Sequence, residues 1–370
     1  MKVNILISNM SLPSTKIGSW NLMFTRLLKH KPRLFTHIIA PASKEALNEV
    51  QYFPVKPVKI KSYKLQSLLG NYRFKNYLKP LKTILKTCDF ATINVIDNKN
   101  LAVALDEYLK SSGLRKKVKI IYHLHGYDIV YGNMQKFYNA VDTLIVITKS
   151  SYQYQLDKHH ALPCKVRQLY NGVDTNLFKP VDSSIQTVIK ERLGFSNDKT
   201  YYLWLSQDRK KKGLHVVLEA WQKFIENKPN VELLVIGTKD YGDLNQVSFF
   251  GRIPNHQLSQ YYQIATFFIF STLCHEGQGL ALTEALKSGC YCLASNIDPI
   301  SEVLENGNYG VLVDNPNHPL SWVETLERTL TDYKNNGNSF KIPSERYDFD
   351  VWMDAMESII FDEHQTPKVL

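Results

Sequence analysis

The chain has 370 residues, 44% of them hydrophobic and 22% charged, with a formal net charge of +10. That length exceeds one ordinary core and predicts two domains, and the apolar content excludes a disordered chain. No run of about 18 apolar residues occurs, which argues against a membrane-spanning helix.

The start, Met1-Lys2-Val3-Asn4-Ile5-Leu6-Ile7-Ser8, is too short and too polar for a signal peptide and reads as a first strand over 3–7. A loop holding Gly18 and Ser19 follows, then a helix over 21–29 and a second strand over 35–40. Residues 1–120 hold 22 Lys and Arg against 6 Asp and Glu, a net of +16, which leaves −6 for the remainder. The positive charge is densest over 56–86, where Lys59, Lys61, Lys64, Arg73, Lys75, Lys79 and Lys82 are interleaved with Tyr63, Leu65, Leu68, Tyr72, Phe74, Tyr77, Leu81 and Ile84. Such a surface attracts anionic lipid head groups, at about 1 kcal/mol per well-placed lysine, or is simply a solvated helix face. Both readings stay open. Nucleic acid is disfavoured because no recognition motif accompanies the charge.

Further strands are predicted over 91–96, 119–125 and 143–148, with a helix over 101–111. Strands alternating with helices imply βαβ units and a parallel sheet. His125 ends one of these strands and is followed by Gly126-Tyr127-Asp128. A histidine at a strand end can bond a sugar hydroxyl or shuttle a proton, but His123 points to the same face and competes for the role. Asn171-Gly172-Val173-Asp174, with Phe178 and Pro180 behind it, carries turn signals and marks the expected domain boundary. The expected domains are 1–175 with a returning helix over 350–370, and 176–349.

A second α/β series follows, with strands over 201–206, 231–238, 247–251, 267–272, 291–295 and 310–313. Between the first of them and a helix over 214–226 stands Ser206-Gln207-Asp208-Arg209-Lys210-Lys211-Lys212-Gly213. Loops at the carboxyl ends of parallel strands bind ligands, and fixed cations beside a helix start suit a diphosphate. The most informative run is Cys274-His275-Glu276-Gly277-Gln278-Gly279-Leu280, opening a helix over 280–288 that carries Glu284. Free amides at a helix start suit a phosphate, and two flanking carboxylates suit sugar hydroxyls. A nucleotide sugar is the ligand this combination predicts. A glycosidase pair is rejected, because Glu284 lies inside the helix whose start should hold phosphate. The five cysteines, Cys88, Cys164, Cys274, Cys290 and Cys292, are scattered and odd in number, against a disulfide framework and for a reducing compartment; no spaced set of soft ligands predicts a metal.

Four segments resemble the retaining nucleotide-sugar glycosyltransferases of the GT-B fold, family 4 (glycosyl transferases group 1). They are His125-Gly126-Tyr127-Asp128, Asn171-Gly172-Val173-Asp174, Phe250-Gly251-Arg252-Ile253-Pro254, and Glu276 to Glu284 with the family's E-x7-E spacing. The resemblance implies two Rossmann-like domains facing across a cleft, with the C-terminal helix crossing back to the N-terminal domain. It implies catalytic roles for His125 and Glu276. It further implies donor contacts from Gly18, Ser19, Arg209, Lys212, Arg252, Ile253, Gly277, Gln278, Gly279, Leu280 and Glu284. The expected reaction moves a hexose-type sugar from a nucleotide diphosphate sugar, UDP before GDP, to a hydroxyl of a glycan or lipid-linked acceptor, with retention and without metal or cofactor. Bacterial surface polysaccharide or lipopolysaccharide synthesis is the implied setting, in the cytoplasm or peripherally on the inner face of the membrane. Another sugar-nucleotide activity (epimerase or hydrolase) and a non-catalytic sugar- or lipid-binding subunit are the alternatives. The family's Gly-Arg after the first strand of this half is Ser206-Gln207 here, and Arg209, Lys210 and Lys211 are the candidates to replace the arginine.

Overall fold

The structure, a computed structural model, describes residues 1–14, 19–45, 47–57, 70–128, 134–159 and 161–364. Its contacts divide the chain into two units, Met1–Tyr170 with Trp352–Leu370, and Asn171–Val351.

The first unit is built on seven strands: β1 (Lys2–Ile7), β2 (His37–Ala40), β3 (Gln51–Pro54), β4 (Phe90–Ile96), β5 (Val118–His123), β6 (Thr143–Val146) and β7 (Lys165–Gln168). They pair in parallel in the order β3-β2-β1-β4-β5-β6-β7. Their central members are buried on both faces, which is why they read in the sequence as continuous apolar runs. The edge strands β3 and β7 are short and only partly covered, and no apolar run announces them. Helices Ser19–His30 and Lys99–Ser111 connect strands, the second capped by Asn98, whose Oδ1 accepts from the Leu101 amide at 3.1 Å.

The basic segment is partly outside the described residues: Lys59, Lys61, Lys64, Tyr63, Leu65, Leu68 and Leu69 fall there. Most of what is described forms a 3-10 turn, Gly70–Phe74, and the helix Lys75–Leu85. Its apolar stripe, Tyr77, Leu81, Ile84 and Leu85, is buried in the core of its own unit, while Lys75, Lys79, Lys82 and Lys86 face solvent. The apolar face of this helix is therefore already spent on folding; only its charge is available to a partner.

The second unit has six strands, β8 (Thr200–Leu205), β9 (Val231–Ile236), β10 (Val247–Phe249), β11 (Phe267–Phe270), β12 (Tyr291–Ser295) and β13 (Val311–Val313). They form a parallel sheet in the order β10-β9-β8-β11-β12-β13. The chain runs outward from β8 to β10 and then returns to place β11 beside β8. That reversal is the switch point at which loops diverge and leave a crevice. Buried Tyr202, Trp204, Trp221, Phe224, Phe267 and Trp322 fill one side of the sheet.

The boundary expected at 175/176 lies at 170/171 instead. Val173 forms a parallel bridge with Asp348, its amide donating to the Tyr347 carbonyl at 2.7 Å, and this draws the Asn-Gly-Val-Asp turn into the second unit. The C-terminal helix Phe349–His364 begins in the second unit and belongs to the first from Trp352 onward. There Trp352 meets Phe24 edge-on at 6.2 Å, and Lys31 reaches Asp354 (2.9 Å) and Glu357 (2.7 Å). Among the described residues no helix is long and apolar enough to cross a membrane. All five cysteines are free thiols.

Candidate active site

In the second unit, two loops meet at the switch point. The loop after β8 ends in Gly213, at φ +73°, and a Cβ there would run into the Ser271 carbonyl oxygen. Gly237, at φ +98° after β9, is pressed in the same way against the Ser206 carbonyl. Only glycine tolerates both the left-handed backbone and the close approach. The contact is sewn by hydrogen bonds: the Leu273 amide donates to the Lys211 carbonyl at 2.8 Å, and Ser271 Oγ donates to the Lys212 carbonyl at 3.0 Å. Trp204 Nε1 holds Ser271 Oγ from below, at 2.9 Å.

This seam brings Lys212 onto Glu276. Their side chains form an ion pair, both largely buried, and Thr272 Oγ1 donates to the same Glu276 Oε1 at 2.7 Å. Glu276 is therefore aimed by two partners through one oxygen, and among the described residues none bonds the other. The helix Leu280–Lys287 starts immediately beyond, with Gly279 at its N-cap and no side chain capping it. The Leu282 amide turns back to the Gly279 carbonyl at 2.9 Å, which leaves the Leu280 and Ala281 amides without an intrahelical acceptor. Partial positive charge collects at that end. Glu284, one turn in, accepts from the buried Tyr262 hydroxyl at 2.9 Å through Oε2. Burial drives the Tyr262 phenol well above its ordinary range, so it stays a donor.

Beside these loops lies a cavity of ≈ 360 Å³ lined by Gln207, Asp208, Arg209, Gly237, Thr238, Lys239 and Arg252. Of the three candidates to replace the arginine missing at Gln207, Arg209 lines it and Lys210 and Lys211 do not. Lys239 is a cation the sequence reading missed; it follows the close-packed Gly237 and Thr238 at the end of β9, where the Gly-Thr-Lys turn was its only signal. Asp208 is held by the Tyr241 hydroxyl, and that bond raises the Tyr241 pKa. Arg252 is exposed and Ile253 half-buried, just past the tight pairing of the Gly237 amide with the Gly251 carbonyl at 2.6 Å.

Gln278, one of the expected donor contacts, has its side chain on the backbone of Asn171. Its side chain is 2% exposed, Oε1 accepts from the Asn171 amide at 2.6 Å, and Nε2 donates to the Asn171 carbonyl at 3.2 Å. The oxygen and the nitrogen of this amide each bond within the unit. Gly277 remains half-buried between Glu276 and this brace.

In the first unit, the choice between two histidines is decided by their partners. His123, at the end of β5, is buried and its Nε2–H donates to Asn94 Oδ1 at 3.0 Å; Asn94 Nδ2 donates to Asn4 Oδ1 at 2.8 Å, and Asn4 Nδ2 to the Leu34 carbonyl at 2.6 Å. Desolvation, and to a lesser degree His125, push the His123 pKa down to about 3. It is a neutral structural group. His125 stands past the strand end, with its amide donating to Asp97 Oδ1 at 2.8 Å. Its imidazole stacks on Trp20 (5.5 Å, 17°) and meets Phe24 edge-on (5.5 Å, 83°). Neither ring nitrogen has a hydrogen-bond partner among the described residues. Burial lowers its pKa, and Asp97 partly opposes that. Gly18 lies outside the described residues, and Ser19 is the first residue of its helix.

Known proteins match both halves. The family model described as Glycosyltransferase Family 4 matches residues 26–177, and that described as Glycosyl transferases group 1 matches 185–341. A curated relative, N-acetyl-alpha-D-glucosaminyl L-malate synthase of Bacillus anthracis, is 25% identical over 234 residues, covering 57% of this chain and 58% of that protein. The chain thus spans a little over half the length of this relative. Among solved structures, sucrose-phosphate synthase from Thermosynechococcus elongatus superposes with a TM-score of 0.74 at 15% identity, covering 97% of this chain and 98% of that one. An Anabaena protein in complex with UDP-glucose gives 0.71 at 18% identity, covering 97% and 100%. Both share the arrangement of two parallel-sheet Rossmann-like domains. With one family model on each half and this fold beneath them, the chain belongs to the GT-B glycosyltransferases of group 1, family 4.

Proposed function

We propose that the protein transfers a hexose-type sugar from a nucleotide diphosphate sugar to a hydroxyl of a glycan or lipid-linked acceptor, with retention at the anomeric carbon. The observation that carries this reading is the uncapped start of the helix Leu280–Lys287 beside the Lys212–Glu276 pair and the cation-lined cavity. The Gly279, Leu280 and Ala281 amides, with Lys212 and Arg209, would receive the diphosphate, so that positive charge meets the leaving group as the bond to it breaks. The free Glu276 oxygen would bond the sugar hydroxyls, Glu284 the ribose, and the backbone at Arg252 and Ile253 the base. The complex of the Anabaena protein with UDP-glucose favours uridine over guanosine.

Retention without an evident protein nucleophile suits front-face departure. The bond from the anomeric carbon to the phosphate oxygen breaks, the acceptor oxygen bonds the same face, and the acceptor proton passes to the departing phosphate. His125, whose ring nitrogens have no hydrogen-bond partner among the described residues, would touch the transferred sugar rather than accept that proton. Cations on the loops would supply the neutralisation that other transferases obtain from a metal.

A thermal-shift screen against UDP, GDP and ADP sugars tests the donor assignment, with stabilisation by the uridine sugars expected. Absence of stabilisation by any of them refutes it. Glu276→Gln should abolish transfer while UDP still binds. Free sugar released at the same rate with and without acceptors would identify a hydrolase instead.

A further inference from the structure

The donor loop and the points where the chain passes between its two units are joined by side chains that donor binding alone does not require. Asn171 is the first residue of the second unit, and Val351 the last. Next to Asn171, Val173 pairs with the outgoing passage: its amide donates to the Tyr347 carbonyl (2.7 Å) and its carbonyl accepts from the Phe349 amide (3.1 Å). Thr175 Oγ1 adds a bond to Asp348 Oδ2. Tyr347 holds a left-handed backbone, φ +59°, that a non-glycine residue adopts only under constraint, and its hydroxyl donates to the Val303 carbonyl at 3.0 Å.

The helix Leu280–Lys287 grips both passages, one at each end. At its start, Gln278 bonds the amide and the carbonyl of Asn171. At its last residue, the largely buried Lys287 Nζ donates to the carbonyls of Ser344 (2.7 Å), Arg346 (3.1 Å) and Pro343 (3.4 Å). Two bonds from one planar amide to one residue's backbone allow little slack, and Gln278 lies between Glu276 and the amides proposed for the diphosphate. Movement or stiffening of that loop is therefore passed to Asn171, since separating them would strand buried polar groups.

We propose that Gln278 is a positioning residue that makes the Asn171–Asp174 passage respond to the nucleoside diphosphate. The inference rests on the donor reading above.

Hydrogen–deuterium exchange with UDP as the probe tests it. In the wild-type protein, UDP should slow exchange in peptides covering 276–282 and also in those covering 170–175, by about tenfold in each. Gln278→Met keeps the side chain's length and burial but removes both bonds. In that variant protection should persist over 276–282 and vanish over 170–175. Protection over 276–282 alone in the wild type overturns the inference while leaving the donor site intact. Retained protection over 170–175 in Gln278→Met removes Gln278 from the role. No protection over 276–282 refutes the donor reading and this inference with it. If the variant fails to fold, the wild-type comparison still decides.

Discussion

His125 and Glu276 are each set on a loop past the end of a central parallel strand, and they are prepared in opposite ways. Glu276 is aimed by polar partners, Lys212 and Thr272, which occupy one carboxylate oxygen. His125 is aimed by apolar packing between Trp20 and Phe24, and among the described residues its ring nitrogens have no hydrogen-bond partner. A carboxylate in a largely buried site must be compensated or it would be costly to fold around. An imidazole avoids that cost by staying neutral, and so can be offered to a ligand with its hydrogen-bonding capacity unspent.

The comparison is broken most severely at Phe24. It is fully buried and touches His123, His125, Trp20 and Trp352, so Phe24→Ala should cost about 3–5 kcal/mol in urea denaturation. A loss below about 1 kcal/mol would mean that His125 is held by something other than this aromatic clamp.

Next in size is Lys212→Met, which leaves Glu276 largely buried without its cation. UDP affinity measured by calorimetry should fall roughly ten- to hundredfold. Unchanged affinity would move the diphosphate away from this loop.

The histidines predict an acid-side loss of stability. His123 has a folded-state pKa of about 3 against an ordinary 6.5, so below pH 6.5 the unfolded chain binds the proton first. Its contribution is complete above 6.5 and declines as pH falls toward 3; His125 adds in the same direction. The melting temperature of the wild type should drop between pH 7 and 4, and His123→Gln should flatten that slope. An equally steep profile in the variant would assign the effect to other groups.

The smallest effect is expected at the exposed basic face. Lys79→Ala and Lys82→Ala should change stability by no more than about 0.5 kcal/mol. If that face binds anionic vesicles, flotation should decline with each lysine removed, by about 1 kcal/mol of binding apiece. Equal recovery with neutral and anionic lipid removes the membrane reading, leaving a solvated helix face.

Central strands were legible because burial on both faces makes them continuous apolar runs, as in Phe267-Phe268-Ile269-Phe270. The edge strands Gln51–Pro54 and Lys165–Gln168 were not, since a half-exposed strand needs no such run. The Glu276 loop was legible from glycines and carboxylates at fixed spacing. Lys239 was not, because a lone lysine after a strand carries no pattern until the sheet order sets its loop beside Arg209 and Arg252.

By itself, the sequence determined two parallel α/β units, the family, and which loops are candidates for the site, because strand burial and glycine-dependent turns are local constraints on residue type. Tertiary structure alone decided that His123 is a structural partner of Asn94 while the ring nitrogens of His125 find no hydrogen-bond partner among the described residues. It also decided that Gln278 braces Asn171 and that the boundary falls before the Asn-Gly-Val-Asp turn. Each of these depends on which distant backbone or side-chain atom completes a hydrogen bond, and pairing across 29 or 107 residues leaves no mark in local composition.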